Sequence, residues 1–181
     1  MRSRETAEWS RNISEKIGCS VQPIYSYCDN MEGLRREVME RARDFTRAYA
    51  AAHTDRNDLF RSTGRAYIRL AKEEPNIFKM FILRERGGVA TLEELYRAET
   101  GPDIALRIGE ELGVGSIQAK RLHLNMMIYT IGLGAIFSVT TPGIGADEIL
   151  AQQETAYAAF LEQALAECRE GVKERNGDGN G

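Results

Sequence analysis

The chain has 181 residues, of which 43% are hydrophobic and 28% are charged, so it can bury a substantial core beneath a polar surface. Its formal net charge of -3 argues against a protein whose whole surface binds polyanions. The charge is uneven, because residues up to Arg47 carry nine basic and eight acidic side chains while the remainder carries fifteen and nineteen. A local positive element near the N-terminus is therefore not excluded.

Cysteine use and the first residues predict a cytoplasmic protein. Cys19, Cys28 and Cys168 are odd in number and lack any Cys-x-x-Cys spacing, so we expect neither a disulfide framework nor a zinc site. The segment Met1–Trp9 is polar and charged, unlike a signal peptide.

One segment, Leu122–Val139, is apolar enough to resemble a membrane span. It carries His123 and Asn125 and is at the short limit of length for a span. A helix buried on all sides in a bundle is the better interpretation. We therefore expect no membrane partner.

Helical patterns recur along the chain and strand alternation is nowhere sustained, which predicts an all-α fold. Ser10 can cap a short helix from Arg11 to Ile17 that Gly18 ends, and Ser20 can cap a second, Val21 to Tyr27. Capping residues, glycines and Pro75 set the ends of the predicted helices that follow: Asp29–His53, Asn57–Glu74, Asn76–Arg86, Thr91–Glu99, Asp103–Leu112, Ser116–Val139 and Asp147–Arg169. Residues 176–181 are predicted to form a disordered tail.

The segment Ser10–Leu34 has the pattern of a helix-turn-helix, since two short helices are separated by about three residues with Gly18 at the turn. Ile13, Ile17 and Ile24 would supply the small apolar patch that fixes the angle between the two helices. The second helix then exposes short or amide side chains suited to base edges in a major groove, namely Ser20, Val21, Gln22 and Ser26. Tyr25 and Tyr27 either pack inward or contact phosphate.

This segment resembles the DNA-binding domain of the TetR (tetracycline-repressor-like) family. The matching positions are Ile13, Gly18, Ser20, Tyr25, Tyr27 and Leu34, with the spacing of the family pattern. The resemblance implies that Val21–Tyr27 is the recognition helix and that residues 1–47 form the DNA-binding region. The implied DNA-contacting residues are Ser10, Arg11, Ser20, Val21, Gln22, Pro23, Tyr25, Ser26, Tyr27 and Asn30.

Three departures from the family pattern stand out. Cys28 replaces a usual Phe, and Met31 replaces a usual Lys, for which Asn30 or the helix N-terminus compensates. The family also places a whole amphipathic helix before the matched segment, whereas only nine residues precede Ser10 here. We therefore expect a truncated three-helix unit that lacks its first helix and binds DNA poorly.

For residues 48–175 the resemblance implies a helical-bundle domain that binds a small molecule and dimerises through the last two long helices. The predicted homodimer interface consists of Leu150, Tyr157, Phe160, Leu161 and Leu165, interspersed with alanines that allow close packing. Aromatic and Met side chains with a few polar groups suit an apolar or aromatic effector. The pocket candidates are Phe60, Tyr67, Phe78, Phe81, Tyr96, His123, Met126, Met127 and Tyr129, although each of them is also explained as ordinary core.

Other classes of function find less support. The sequence has no glycine-rich phosphate loop, no His-Glu-x-x-His and no Gly-x-Ser-x-Gly, so we expect no enzyme, no metal and no cofactor. The expected function is a repressor that releases its DNA operator when it binds an effector, with activation left open. The alternative is a dimeric small-molecule-binding or interaction module that has lost DNA binding.

Overall fold

The computed structural model describes residues 12–18, 20, 22, 31–140 and 143–177, with side chains omitted for 31 and 171–177. Residues 12–17 are helical, and the helices that follow are α1 Met31–Ala52, α2 Leu59–Glu73, α3 Pro75–Ile82, α4 Leu92–Glu99, α5 Ile104–Leu112, α6 Ser116–Val139 and α7 Ala146–Gly177. No strand occurs in these ranges. The predicted all-α fold is confirmed.

Local sequence explains where these helices begin and end. Thr91 and Glu94 form a reciprocal capping box at the start of α4, with Glu94 N–H donating to Thr91 Oγ1 at 3.2 Å. Pro75 occupies the first turn of α3, where its missing N–H costs nothing. Gly113 ends α5 in the left-handed region at φ +67°, which an L side chain rarely adopts.

Two helix ends lie four or more residues from the sequence-based expectation. Helix α3 ends at Ile82 rather than Arg86, because the Arg84 and Arg86 side chains fold back onto its last carbonyls. Arg84 donates to Phe81 O at 2.7 Å and Arg86 to Ile82 O at 2.8 Å. Both guanidinium groups also donate to the half-buried Glu99 carboxylate.

Helix α7 extends further than predicted. It continues to Gly177, so Asn176 and Gly177 are helical although they fall in the segment predicted to be a disordered tail. The remaining residues of that predicted tail, 178–181, lie outside the described part of the chain.

The chain divides into two compact units, residues 1–47 and 48–181. In the second unit, α6 is the central helix and packs against α2, α3, α5 and α7. Phe78 of α3 packs directly on Gly134 of α6, where a Cβ atom would overlap the Phe78 ring. Phe78, Leu70, Ala71 and Ile82 form one core cluster there.

Helix α6 is long and apolar enough to cross a membrane by length and composition alone, with a mean hydropathy of 1.5 over 18 residues. Such a helix is weak evidence for a span, since core helices of soluble proteins have the same composition. Only 28% of this window is buried within the chain, so the expectation of a helix buried on all sides is wrong for the chain alone.

Candidate functional site

The predicted DNA-reading segment is described in part. Residues 12–17 are helical, and Gly18 follows at φ +69° with its N–H donating to Glu15 O at 3.3 Å. Ser20 and Gln22 are exposed, and Gln22 is helical. The other predicted DNA contacts lie outside the described residues: Ser10, Arg11, Val21, Pro23, Tyr25, Ser26, Tyr27 and Asn30.

One expectation for this segment is wrong. Ile17 is 65% exposed, so its side chain does not belong to the buried patch predicted for the first helix. Ile13 on the same helix is half-buried, and Ser14 is buried at 5% exposure. The buried face of this helix therefore includes Ser14, a polar residue that a pattern of apolar residues alone does not predict to be buried.

In the second unit, α2, α6 and α7 meet in a three-helix interface built from three successive layers. The aromatic layer consists of Phe60, His123 and Tyr157, the polar layer of Gly64, Thr130 and Gln153, and the apolar layer of Ile68, Phe137 and Ile149. Successive layers are four residues apart on α2 and α7, which run in opposite senses, and seven apart on α6. These are helical repeats, so each layer presents one position from each helix to the same interface.

His123 holds the centre of the aromatic layer. Its ring meets Phe60 edge-on at 5.5 Å between centroids, and its Nδ1 is 3.0 Å from the hydroxyl of Tyr96 on α4. Burial lowers the pKa of His123 to about 4, so the ring is neutral near pH 7. Burial likewise raises the pKa of Tyr96, which keeps its hydroxyl protonated. The pair is therefore a neutral hydrogen bond in an aromatic environment.

The polar layer contains the most deeply buried amide side chain that the structure describes. Gln153 is 2% exposed and Thr130 is 6% exposed, and Gln153 Nε2 donates to Thr130 Oγ1 at 3.2 Å. Gln153 Oε1 has no hydrogen-bond partner among the described residues. Gly64 makes room for the amide, since a Cβ atom there would lie 2.5 Å from Gln153 Nε2.

The charged side chains beside this interface pair with one another. Glu154 accepts hydrogen bonds from Arg61 and from Arg65, the latter at 2.6 Å. Partial burial raises the pKa of Glu154, but the hydrogen bonds from Arg65 and Arg61 outweigh it and hold the pKa below its ordinary value. The Arg61 guanidinium also lies over the Tyr157 ring, 5.5 Å from its centroid.

The predicted pocket residues fall into separate groups instead of lining one cavity. Phe60, Tyr96 and His123 meet at the aromatic layer. A second group belongs to the core around α3 and consists of Tyr67, Phe78 and Phe81. Tyr129 instead contacts Phe160 and accepts a hydrogen bond from Gln152 at 2.8 Å. Met126 is buried and Met127 is half-buried on α6.

The predicted dimer residues on α7 mostly contact their own chain. Leu150 packs on the apolar layer, Leu165 on the cluster around Ile108, and Tyr157 on Phe60. Phe160 meets Tyr129, and Leu161 is half-buried. Among the described side chains of the last two helices, the large apolar ones that remain exposed lie on α6, namely Ile117, Ile128, Ile136 and Val139.

The sequence analysis missed Gly64, Thr130 and Gln153 as a group. Each is unremarkable within its own helix, and only the packing of three helices brings them together. The sequence did offer one signal, which is Thr130. It is a polar residue in a mostly apolar part of α6, and it lies seven residues from both His123 and Phe137. In the described ranges, no three His, Cys, Asp or Glu side chains are grouped so that they could hold a metal ion.

Comparison with family models, with curated proteins and with solved structures finds no match to this chain.

Proposed function

We propose that the chain is a TetR-type DNA-binding transcription regulator that acts as a cytoplasmic homodimer and releases its operator on binding a small apolar or aromatic effector. The observation that carries the proposal is the turn at Gly18. A helical segment ends there in the left-handed conformation, and the exposed Ser20 and Gln22 follow it. This local geometry and the residue pattern of Ser10–Leu34 support the same helix-turn-helix interpretation.

The proposal of a homodimer is supported by the outer surface of α6. Ile128, Ile136 and Val139 are 46%, 53% and 65% exposed, and no charged residue occurs between Leu122 and Ala146. In a twofold contact the residues near the axis meet their own copies, so a charged patch there would face like charge. A charge-free apolar surface avoids that repulsion and removes a patch that water disfavours.

Effector response is supported by the three-helix interface, whose aromatic layer is half-buried. Helix α2 contributes to all three layers, and its last turn is joined to α1 by a hydrogen bond from Tyr49 Oη to Glu73 at 2.5 Å. A ligand that favours a different position of α2 would therefore act on α1, the helix that continues into the N-terminal unit. Differential affinity for two positions of α1 is what relief of repression requires.

Selection from a random pool of duplex DNA by the 181-residue chain tests the proposal, and it is carried out at low salt because we expect a truncated three-helix unit to bind weakly. We expect enrichment of palindromic sites whose half-sites are roughly one turn, about 10–10.5 bp, or somewhat more apart, because a dimer presents two recognition helices. Gln22→Ala should weaken binding to the selected site by about 10-fold, the loss typical of one base contact. Gln163→Ala, a matched change on the exposed surface of α7, should leave binding unchanged.

Failure to enrich any sequence, or equal binding by Gln22→Ala and the unaltered chain, would overturn the regulator proposal. The second candidate function, a dimeric small-molecule-binding module, would then be favoured. Two observations support this candidate: the net charge is -3, and the three-helix interface lies wholly within residues 48–181. A module of this kind shows no salt-dependent binding to duplex DNA, whereas a regulator loses affinity steeply as salt rises.

A further inference from the structure

We propose that two copies of the chain dock on each other through the outer surface of α6, in an antiparallel crossing centred on Gly132. This surface consists of Ile128, Ile136 and Val139 together with Gly132, and all four residues are exposed. They follow one another at spacings of four, four and three residues, so they share one side of the helix. The inference rests on the homodimer of the proposed function and deepens it, because it locates the contact and the twofold axis.

The first step of the argument is the open space over Gly132. Among the described residues, no atom outside the adjoining turns of α6 lies within 4 Å of the position that a Cβ atom would occupy there. A glycine in the middle of a helix reduces helix stability relative to alanine, and no packing within the described chain requires one at this position. On an exposed apolar surface, however, a glycine lets a second helix approach closely.

The second step is a contact of this kind inside the chain. Gly134 lies two residues further along α6, which is more than half a turn around the helix. It is buried, and the Phe78 ring of α3 fills the space over it, whereas Gly132 is exposed. The two glycines therefore lie on opposite sides of α6, and only the inner one is covered by an apolar side chain. An isoleucine from a second copy would cover Gly132 as Phe78 covers Gly134.

The third step identifies the occupant by its charge. No charged residue occurs between Leu122 and Ala146. Beside the outer surface, the Tyr129 hydroxyl is paired with the neutral amide of Gln152 at 2.8 Å. A partner with a charged surface would lose hydration here and gain no ion pair in return. A second copy presents the same neutral apolar surface, so the contact is complementary to itself, as an isologous interface requires.

The fourth step sets the orientation of the two helices. Arg121 is exposed and lies seven residues before Ile128, on the same side of α6. In a parallel contact Arg121 would lie near its own copy, with like charges side by side despite its ion pair with α7. In an antiparallel crossing at Gly132, Arg121 lies beyond the end of the other α6. Ile128 of one copy then meets Ile136 of the other, since each is four residues from Gly132.

Sedimentation equilibrium of the whole chain and of three variants tests the contact. Ile128→Asp should raise the dissociation constant of the dimer by at least about 30-fold, because it places an unpaired carboxylate in the apolar contact. Gly132→Leu should raise it by at least about 10-fold, because the new side chain separates the two helices. The same change should not weaken the dissociated chain against urea, since leucine is the better helix former. Leu106→Asp, a control at a 55% exposed leucine of α5, should leave the dissociation constant unchanged.

Cross-linking tests the orientation. A mixture of Ile128→Cys and Ile136→Cys chains is treated with a short bismaleimide, and the digested peptides are identified by mass spectrometry. We expect peptides that join position 128 to position 136, and none that join position 128 to itself. The unaltered chain gives the background from Cys19, Cys28 and Cys168.

The inference is overturned if the unaltered chain sediments only as a monomer, if Ile128→Asp or Gly132→Leu dimerises as tightly as the unaltered chain, or if Leu106→Asp dissociates equally. Cross-links that join position 128 to itself would also overturn it. A monomer that floats with neutral phosphatidylcholine vesicles would show that this surface contacts lipid instead. Should Ile128→Asp fail to fold by circular dichroism, Ile136→Asp carries the same expectation.

Failure of this contact and failure of the regulator proposal are distinguishable. A chain that enriches palindromic DNA and still dimerises as Ile128→Asp would place the dimer contact elsewhere and leave the regulator proposal intact. A dimer that dissociates as expected but enriches no DNA would contradict the regulator proposal and leave the α6 contact intact.

Discussion

The polar and apolar layers lie on the same three helices, one helical repeat apart, and the side chains of both layers are buried. In the apolar layer, Ile68, Phe137 and Ile149 fill the space between the helices with side chains alone. In the polar layer, Gly64 contributes no side chain, Thr130 a small one, and Gln153 an amide with one atom unpartnered. The buried side chains of the apolar layer therefore need no hydrogen-bond partner, whereas the polar layer contains a buried amide oxygen that has none among the described residues.

The difference indicates which layer stabilises the fold and which one reduces its stability. Close packing of large apolar side chains is the main source of folding free energy, and the apolar layer has it. A layer that keeps an unsatisfied amide reduces stability relative to an apolar one of the same volume. Predictions that alter one layer at a time test this division.

The largest effect is expected from Phe137→Ala in the apolar layer. Phe137 is 4% exposed, packs against Ile68 and Ile149, and has the Lys72 ammonium 5.1 Å from its ring centroid. Removing a buried Phe ring leaves a cavity and typically costs about 3–5 kcal/mol. Urea unfolding should show that loss in the free energy of unfolding. A loss below about 1 kcal/mol would mean that this layer does not anchor the bundle.

The next effect is a pH dependence that arises in the aromatic layer. The pKa of His123 is about 4 in the folded chain, against 6.5 for an unperturbed histidine, so the unfolded chain binds the proton more tightly. The stability that this provides is present above pH 6.5, declines as the pH falls from 6.5 to 4, and amounts to about 3 kcal/mol over that window.

Carboxylates titrate in an overlapping range, so the measurement compares the chain with His123→Gln. The difference in free energy of unfolding between the two proteins should shift against the unaltered chain by about 3 kcal/mol between pH 7.5 and pH 4. Both contain the same carboxylates, which cancel in the comparison. A constant difference across that range would show that His123 becomes protonated as readily in the folded chain as in the unfolded one.

Sequence patterns predicted the helices well because periodicity, capping residues and Pro75 act locally. The bounds of α6 were predicted to the residue, and those of α4 and α5 to within one residue at the N-terminus. The end of α3 was missed because Arg84 and Arg86 act through side chains that turn back on the helix and meet Glu99, a contact between separate elements. Only the tertiary fold determines that contact.

The candidate site shows the same limit more clearly. Phe60, Tyr96 and His123 were candidates by residue type, and they do meet. Gly64 and Gln153 are 89 residues apart in the chain, and neither has a chemical signature of its own. Whether Gly64 and Gln153 meet depends on how α2 and α7 are aligned along their length. The spacing of apolar residues within each helix does not define that alignment. The exposed residues of α6 were not singled out, although the last two long helices were predicted to form the dimer interface, since apolar composition does not say which side chains pack within the same chain.

The smallest effect is expected from Gly64→Ala, which tests whether the Gln153 amide needs the space above Gly64. Whether this change raises or lowers the free energy of unfolding depends on Gln153. Alanine at an exposed helix position is favoured over glycine by about 1 kcal/mol, so Gly64→Ala would stabilise α2 if nothing opposed it. Here the new Cβ would lie 2.5 Å from Gln153 Nε2, and such overpacking typically costs about 1–3 kcal/mol. We therefore expect a net loss of stability in the unaltered background and a gain of up to about 1 kcal/mol in Gln153→Ala, where the amide is gone. A double-mutant cycle by urea unfolding measures both, and additivity of the two changes would show that Gly64 and the Gln153 amide do not share one space.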